Sequence, residues 1–270
     1  MSTNIRCSML PSYSDCARRA AAKQYRTEIV AAGYELNELE PAVGAALGTS
    51  VHSGAAMLLQ EKKDTGEVLG EDEATEFAVS QFADNIRDGA TWDETTPNVA
   101  TAHFQIRRLV ASYADLARQV EPALIEYPMR VDAGDGFELT GTLDLVTRPR
   151  QLRDLKSGAL ARPYQAQLGA YSLLLKSNKV NVSEALIDWL PRAPKTQPQP
   201  GVETQQFSVS TCERAAHATI QFIKRDLSRF RSTGDPWSFA ANPMSMVCTR
   251  RYCPAHGTKF CDMPLPTSEE

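Results

Sequence analysis

No stretch of this chain stays apolar for the roughly 18 residues that a membrane-spanning helix needs. Its N-terminus also lacks the basic-then-apolar layout of a signal peptide. The expected compartment is therefore the cytoplasm. There is no surplus of positive charge either. The 29 Lys and Arg face 33 Asp and Glu, for a net charge of −4, which excludes a histone-like binder working by electrostatics alone. A local basic groove is compatible with that total, and Arg148, Arg150, Arg153 and Arg162 supply a basic cluster. The phosphate-cradling sequence G-x4-G-K-[ST] is absent, so ATP-driven work through such a loop is excluded. There is no internal repeat. Six cysteines in a reducing compartment point to metal binding or core packing before disulfides.

What is present changes period along the chain. Residues 13–31 form a basic, alanine-rich segment that reads as a helix, and a second helix is expected from about Val43 to Lys63, with His52 near its middle. Residues 71–88 and 98–120 also have helical patterning; Phe104, Leu109, Tyr113 and Leu116 make an amphipathic stripe. Residues 123–131 and 136–147 then alternate in the manner of strands, with a turn at Asp132–Gly136, and 151–156 make a third strand. A helix over 163–177, a strand over 183–190, a proline-rich connector from Pro191 to Pro200, a strand over 202–209 and a helix over 212–232 follow. The tail from Pro243 is irregular. This order predicts one α/β domain over 1–270 with a mixed sheet, preceded by a helical insertion at about 60–120.

The chemistry concentrates in Gly141-Thr-Leu-Asp144 and Asp154-Leu-Lys156. Alternation along a strand sends Asp154 and Lys156 to one face and Leu155 to the core. On the preceding strand Asp144 stands opposite to Leu143 and Leu145. A reversal around Pro149 sets Asp144 across from Asp154, with Cβ atoms about 4.5–5.5 Å apart in a direct pair. Two carboxylates that close repel unless a cation lies between them or one is protonated. Mg²⁺ suits such a pair, since it takes carboxylate oxygens, waters and substrate phosphate. Lys156 is placed to orient or help deprotonate an attacking water and to offset charge at phosphorus. The competing reading is a solvated hairpin in which Lys156 pairs with one of the acids.

With G-T-L-D, D-L-K and the following Gln167-Leu-Gly-Ala-Tyr171, the chain resembles the RecB-like branch of the PD-(D/E)XK nucleases. The helical Gly48-Thr-Ser-Val-His52 matches that branch's upstream histidine. The resemblance implies a restriction-endonuclease-like core in which His52, Asp144 and Asp154 bind Mg²⁺ or Mn²⁺, with the Leu155 carbonyl as a further ligand. It makes Lys156 the catalytic lysine and sets Gln167 and Tyr171 along the DNA path. Glu126, in Ile125-Glu-Tyr-Pro, fits an acidic position often found at the start of the sheet.

The tail carries Cys248-x4-Cys253-x7-Cys261 in a segment with little core-forming pattern, which a bound metal would order. Ser12-Tyr-Ser-Asp-Cys16-Ala-Arg18 resembles the N-terminal cysteine segment of iron–sulfur RecB-like nucleases, such as AddB-type domains and CRISPR-associated or phage exonucleases. That resemblance implies a 4Fe-4S cluster on Cys16, Cys248, Cys253 and Cys261, clamping the segment 243–262 to the N-terminal helix. The spacing is wider than the C-x2-C-x5-C usual there, and His256 inside the loop keeps structural zinc open as the alternative. Cys7 and Cys212 are expected to pack.

The expected function is then a metal-dependent DNA exonuclease of recombination, repair or phage DNA processing, in the host cytoplasm if phage-encoded. A recombinase, an annealing protein or a helicase is the expected partner class. The alternatives are a catalytically silent DNA-binding or assembly subunit, and a zinc-ribbon interaction protein.

Overall fold

Six strands build one mixed sheet: β1 (Thr3–Arg6), β2 (Pro122–Gly134), β3 (Phe137–Thr147), β4 (Gln151–Gly158), β5 (Glu184–Pro191) and β6 (Glu203–Phe207). The computed structural model describes residues 2–158 and 163–262, so Arg162 and the tail beyond residue 262 lie outside the described residues. β2 and β3 form a long antiparallel hairpin whose turn holds Asp135 and Gly136 at positive φ. β4 runs antiparallel to β3 and parallel to β5, and β6 closes the far edge antiparallel. β5 is buried along almost its whole length, as expected of a strand covered on both faces. β1 is absent from the sequence reading because four residues carry too little alternation to register.

The pairing leaves a fork in the sheet. β2 occupies one edge of β3, so β1 and β4 must share the other: β1 takes Phe137 to Thr140, and β4 takes Leu145 and Val146. Gly141 to Asp144 have no strand partner on that edge. Gly141 is needed here for space. A Cβ on it would lie 2.7 Å from Tyr171 Cε1 and 2.8 Å from Cys7 Sγ, well inside van der Waals contact.

Helices cover both faces. On one side lie α1 (Leu10–Asp15), α2 (Ala17–Gln24), α3 (Arg26–Ala31), α7 (Gln165–Ser177) and α8 (Val209–Thr233), packed on Leu139, Leu143, Leu152 and Ile187. On the other lie α4 (Val43–Thr65), α5 (Glu71–Asn85) and α6 (Val99–Gln119), packed on Leu145, Leu155 and Leu190. α4 ends at Gly66, whose left-handed φ of 84° lets its N–H return to Lys62 O. α7 and α8 meet at Gly169, where a Cβ would fall 1.9 Å from Cys212 O.

Three expectations need correction. The helix over 13–31 is three short helices, because Cys16 takes an extended conformation (φ −151°, ψ 101°) and the chain turns again at Tyr25. Leu143 and Leu145 do not share a core: Leu143 packs with the α7–α8 side and Leu145 with the α4–α6 side. The alternation breaks where the β2–β3 pairing skips Glu126 and Asp144. The arginine cluster also disperses. Arg153 is buried in a bidentate pair with Asp188, its Nη2 2.7 Å from Asp188 Oδ1, and Arg148 and Arg150 sit in the turn after β3.

Candidate active site

Asp144 and Asp154 meet at the fork. The register Leu145 to Arg153 and Val146 to Leu152 sets them across from each other as the first pair beyond the end of the ladder. Each is engaged from a different helical layer. From the α4 side, His52 Nδ1 lies 3.5 Å from Asp144 Oδ2 and 3.9 Å from Glu126 Oε1. From the α7 side, Gln167 Nε2 reaches Asp154 Oδ1 at 3.4 Å and the Tyr171 hydroxyl at 3.1 Å. Asp144 Oδ2 also accepts the Leu155 backbone N–H at 2.8 Å, which ties the two strands together where their ladder stops.

Glu126 is the residue that sequence reasoning underweighted. It stands at the register position opposite Asp144, and its φ is 42°, unusual for a side-chain-bearing residue in a strand. Strain of this kind, of order 1–3 kcal/mol, collects at functional sites where the surroundings hold it. Here it turns the carboxylate toward His52. Ligand atoms of His52, Glu126 and Asp144 all lie within 4.8 Å of one another, the kind of donor set that a hard divalent ion accepts. Asp154 lies outside that tight group. Its Oδ2 is 2.6 Å from Lys156 Nζ and otherwise unsatisfied in a fully buried position.

Electrostatics distinguish the two acids. Burial raises the pKa of Asp154, Lys156 opposes the rise and Asp144 adds to it, leaving it at about 6. Asp144 is held below the ordinary carboxylate value: burial works against its charge, but His52, Lys156 and the Leu155 N–H outweigh it. Burial disfavours a charged His52, yet Asp144 and Glu126 lift its pKa to about 10. Lys156 loses some charge stability to burial and regains more from Asp154 and Asp144, so its pKa lies above the ordinary lysine value. It also sits 5.0 Å over the Tyr164 ring. Without metal, the pocket therefore neutralises its carboxylates with an imidazolium and an ammonium.

The predicted cysteines also come together. Cys16, Cys248, Cys253 and Cys261 line one recess, with Arg19, Asn242 and His256. The tail is laced to α1 and α2 by Asn242 Nδ2 to Asp15 O, Ser245 Oγ to Asp15 Oδ2 and Arg18 N to Ala240 O. Asn37 adds bonds to the Pro254 and His256 carbonyls. Burial raises the Cys253 thiol to about 11 and also raises Cys248. No three of these sulfurs lie within 4.8 Å of one another. Cys7 and Cys212 are buried in the core.

Residues 7–258 match the pattern of the PD-(D/E)XK nuclease superfamily, nearly the whole chain. The chain belongs to that superfamily. As a PD-(D/E)XK nuclease it is a phosphodiester hydrolase, from a superfamily that uses divalent metals and acts on DNA. Its mixed sheet flanked by helices is the restriction-endonuclease-like fold. A crystal structure from Eubacterium rectale named "Putative exonuclease" shares this fold, with a TM-score of 0.53 and 12% identity over 83% of this chain and 80% of that one. The crystal structure of SSO0001 is far less similar: TM-score 0.27 and 12% identity, covering 68% of this chain and 76% of that one. No curated protein matches the sequence. No helix among the described residues is long and apolar enough to cross a membrane.

Proposed function

We propose that this nuclease is a metal-dependent DNA exonuclease serving recombination, repair or phage DNA processing. The observation that carries the reading is the convergence of His52, Glu126 and Asp144 within 4.8 Å, beside the Asp154–Lys156 pair. His52, Glu126, Asp144 and Asp154 would hold Mg²⁺ or Mn²⁺, with the Leu155 carbonyl as a further ligand. The ion's chemistry there is Lewis-acid stabilisation of charge on the phosphoryl oxygens and activation of the nucleophile. Lys156, protonated at neutral pH, offsets charge developing at phosphorus. Gln167 fixes Asp154 and the Tyr171 hydroxyl through its amide, so the α7 side of the pocket keeps its shape when substrate arrives. Among the described residues all the elements belong to the nuclease fold and none forms a separate sequence-recognition module, which favours an exonuclease.

End-labelled single- and double-stranded DNA with Mg²⁺ or Mn²⁺ tests this. Asp144→Ala and Lys156→Ala should each lose roughly 10²-fold or more of the cleavage rate. Equal cleavage by wild type and both variants would refute the reading.

The four thiolates Cys16, Cys248, Cys253 and Cys261 are proposed to hold a 4Fe-4S cluster as a structural clamp. What supports a shared metal is that the four side chains line one recess, where Asn242 and Ser245 tie the tail to Asp15; structural zinc is the alternative. Protein purified without oxygen should be brown and carry iron, and Cys253→Ala should lose both colour and solubility. A colourless wild type containing zinc would overturn the cluster.

A further inference from the structure

A second feature lies beside the metal site, in residues that the sequence motifs do not touch. In the sheet register Arg6 of β1 pairs with Thr140 of β3, and Thr140 pairs with Arg130 of β2. Residues directly paired across strands project to one face, so the two arginines flank Thr140 in a single row. With strands about 4.8 Å apart, their backbones are about 10 Å from each other. Both side chains are exposed. Among the described residues neither makes an ion pair or a side-chain hydrogen bond, whereas Arg26, Arg107, Arg118 and Arg231 each pair with an acid. They are available cations on a protein whose net charge is −4.

The row opens into a groove of about 720 Å³ lined by Arg6, Arg130, Thr142, Tyr127 and Tyr171, among others. The groove runs along β3 toward the fork. Thr140, Thr142 and Asp144 follow at two-residue steps, which places the arginine row about 13 Å from Asp144. Tyr127 neighbours Glu126 and leaves 46% of its surface exposed. Tyr127 lines the same groove, and a large exposed aromatic ring there is a stacking platform for an unpaired base. Asp132 and Glu138 form the next row outward, on the side away from Asp144.

We infer that this groove holds a single DNA strand on its way to the metal site: Arg6 and Arg130 take its phosphates, and Tyr127 stacks one of its bases. The inference rests on the nuclease reading and names the form of substrate. The separation of about 13 Å corresponds to about four stacked nucleotides at 3.4 Å each, so these contacts lie a few nucleotides from the bond that is cut. A duplex would keep its bases stacked on one another and leave Tyr127 without a partner.

The test is fluorescence anisotropy with a labelled 20-nucleotide oligo-dT and the matching duplex, in EDTA, over a range of salt. The Arg6→Ala/Arg130→Ala protein should bind the single strand at least tenfold more weakly. Its salt slope should fall by about 1.4, since each single-strand phosphate contact contributes about 0.7. Tyr127→Ala should weaken binding with the slope unchanged, and Tyr127→Phe should restore it. Because all three side chains are exposed, unchanged melting curves should accompany these losses. Single-strand binding and salt slope equal to wild type in the double variant would overturn the groove, as would equal loss of duplex and single-strand affinity. If those variants behave like wild type while wild type still cleaves DNA, the groove falls and the nuclease stands. If wild type binds single strands through these arginines but cleaves no DNA, the groove stands and the nuclease reading falls.

Discussion

Replacing Asp154 with asparagine should make the metal-free protein more stable at alkaline pH while removing its cleavage. Asp154 is fully buried, and burial together with Asp144 moves its pKa from the ordinary 3.8 to about 6 despite the neighbouring Lys156. A group whose folded pKa lies above its unfolded one favours folding when protonated. That contribution is complete below about pH 4 and is lost as pH rises through about 6. At about 1.4 kcal/mol per pKa unit, the ionised carboxylate costs the fold about 3 kcal/mol at pH 8. Asparagine keeps the shape and carries no charge, so Asp154→Asn should gain up to about that amount. Urea unfolding in EDTA at pH 8 and at pH 4 reads it directly. The variant should be the more stable at pH 8 and nearly equal to wild type at pH 4. Saturating Mg²⁺ should narrow the gap at pH 8, because ligation stabilises wild type by mass action and the variant much less. A variant less stable than wild type at pH 8 in EDTA, or a difference independent of pH, would refute this account of the site.

Metal binding should release protons. His52 is charged up to a pKa of about 10 without metal and must be neutral to ligate, so calorimetry in buffers of different ionisation enthalpy should show about one proton released at pH 8. Affinity for Mn²⁺ should accordingly rise from pH 6.5 to pH 8.5, and a flat profile would exclude His52 as a ligand. Asp188→Ala should cost about 3–5 kcal/mol in urea unfolding, because it leaves the Arg153 guanidinium buried without its partner. Gly169→Ala should destabilise by about 3 kcal/mol or more, since the added carbon collides with the Cys212 carbonyl and both helices must move apart. A melting temperature within a degree of wild type for Gly169→Ala would contradict the close approach of α7 and α8.

The long helices and the strands of the hairpin were legible because their apolar positions repeat over many residues. The match of α4, α6, β3 and α8 to their expected spans rests on that. What escaped was set by tertiary contact. β1 is four residues long and exists because β3 offers it an edge. The break at Cys16 follows the tail that packs there, since Asn242 N donates to Cys16 Sγ at 3.5 Å. At the site, Asp144, Asp154 and Lys156 could be picked out because a two-residue strand period and a hairpin bring them together. Glu126 could not be weighed properly, because a positive φ decides where its carboxylate points and no local sequence signal announces one. The arginines 148, 150 and 153 misled for the opposite reason. They are close in sequence to the carboxylates, but a turn and a buried ion pair take them away, and the available cations come from β1 and β2.

The fork has a consequence for when this protein can act. His52 comes from α4, whereas Gln167 and Tyr171 come from α7, and Asp144 and Asp154 lie on the strands between the two layers. Neither half of the proposed centre is useful alone. A chain that has docked only one layer, whether emerging from the ribosome or partly unfolded, presents DNA with an incomplete set of ligands. Cutting is thereby tied to completed folding, and cleavage should vanish in denaturant along with the first layer to detach.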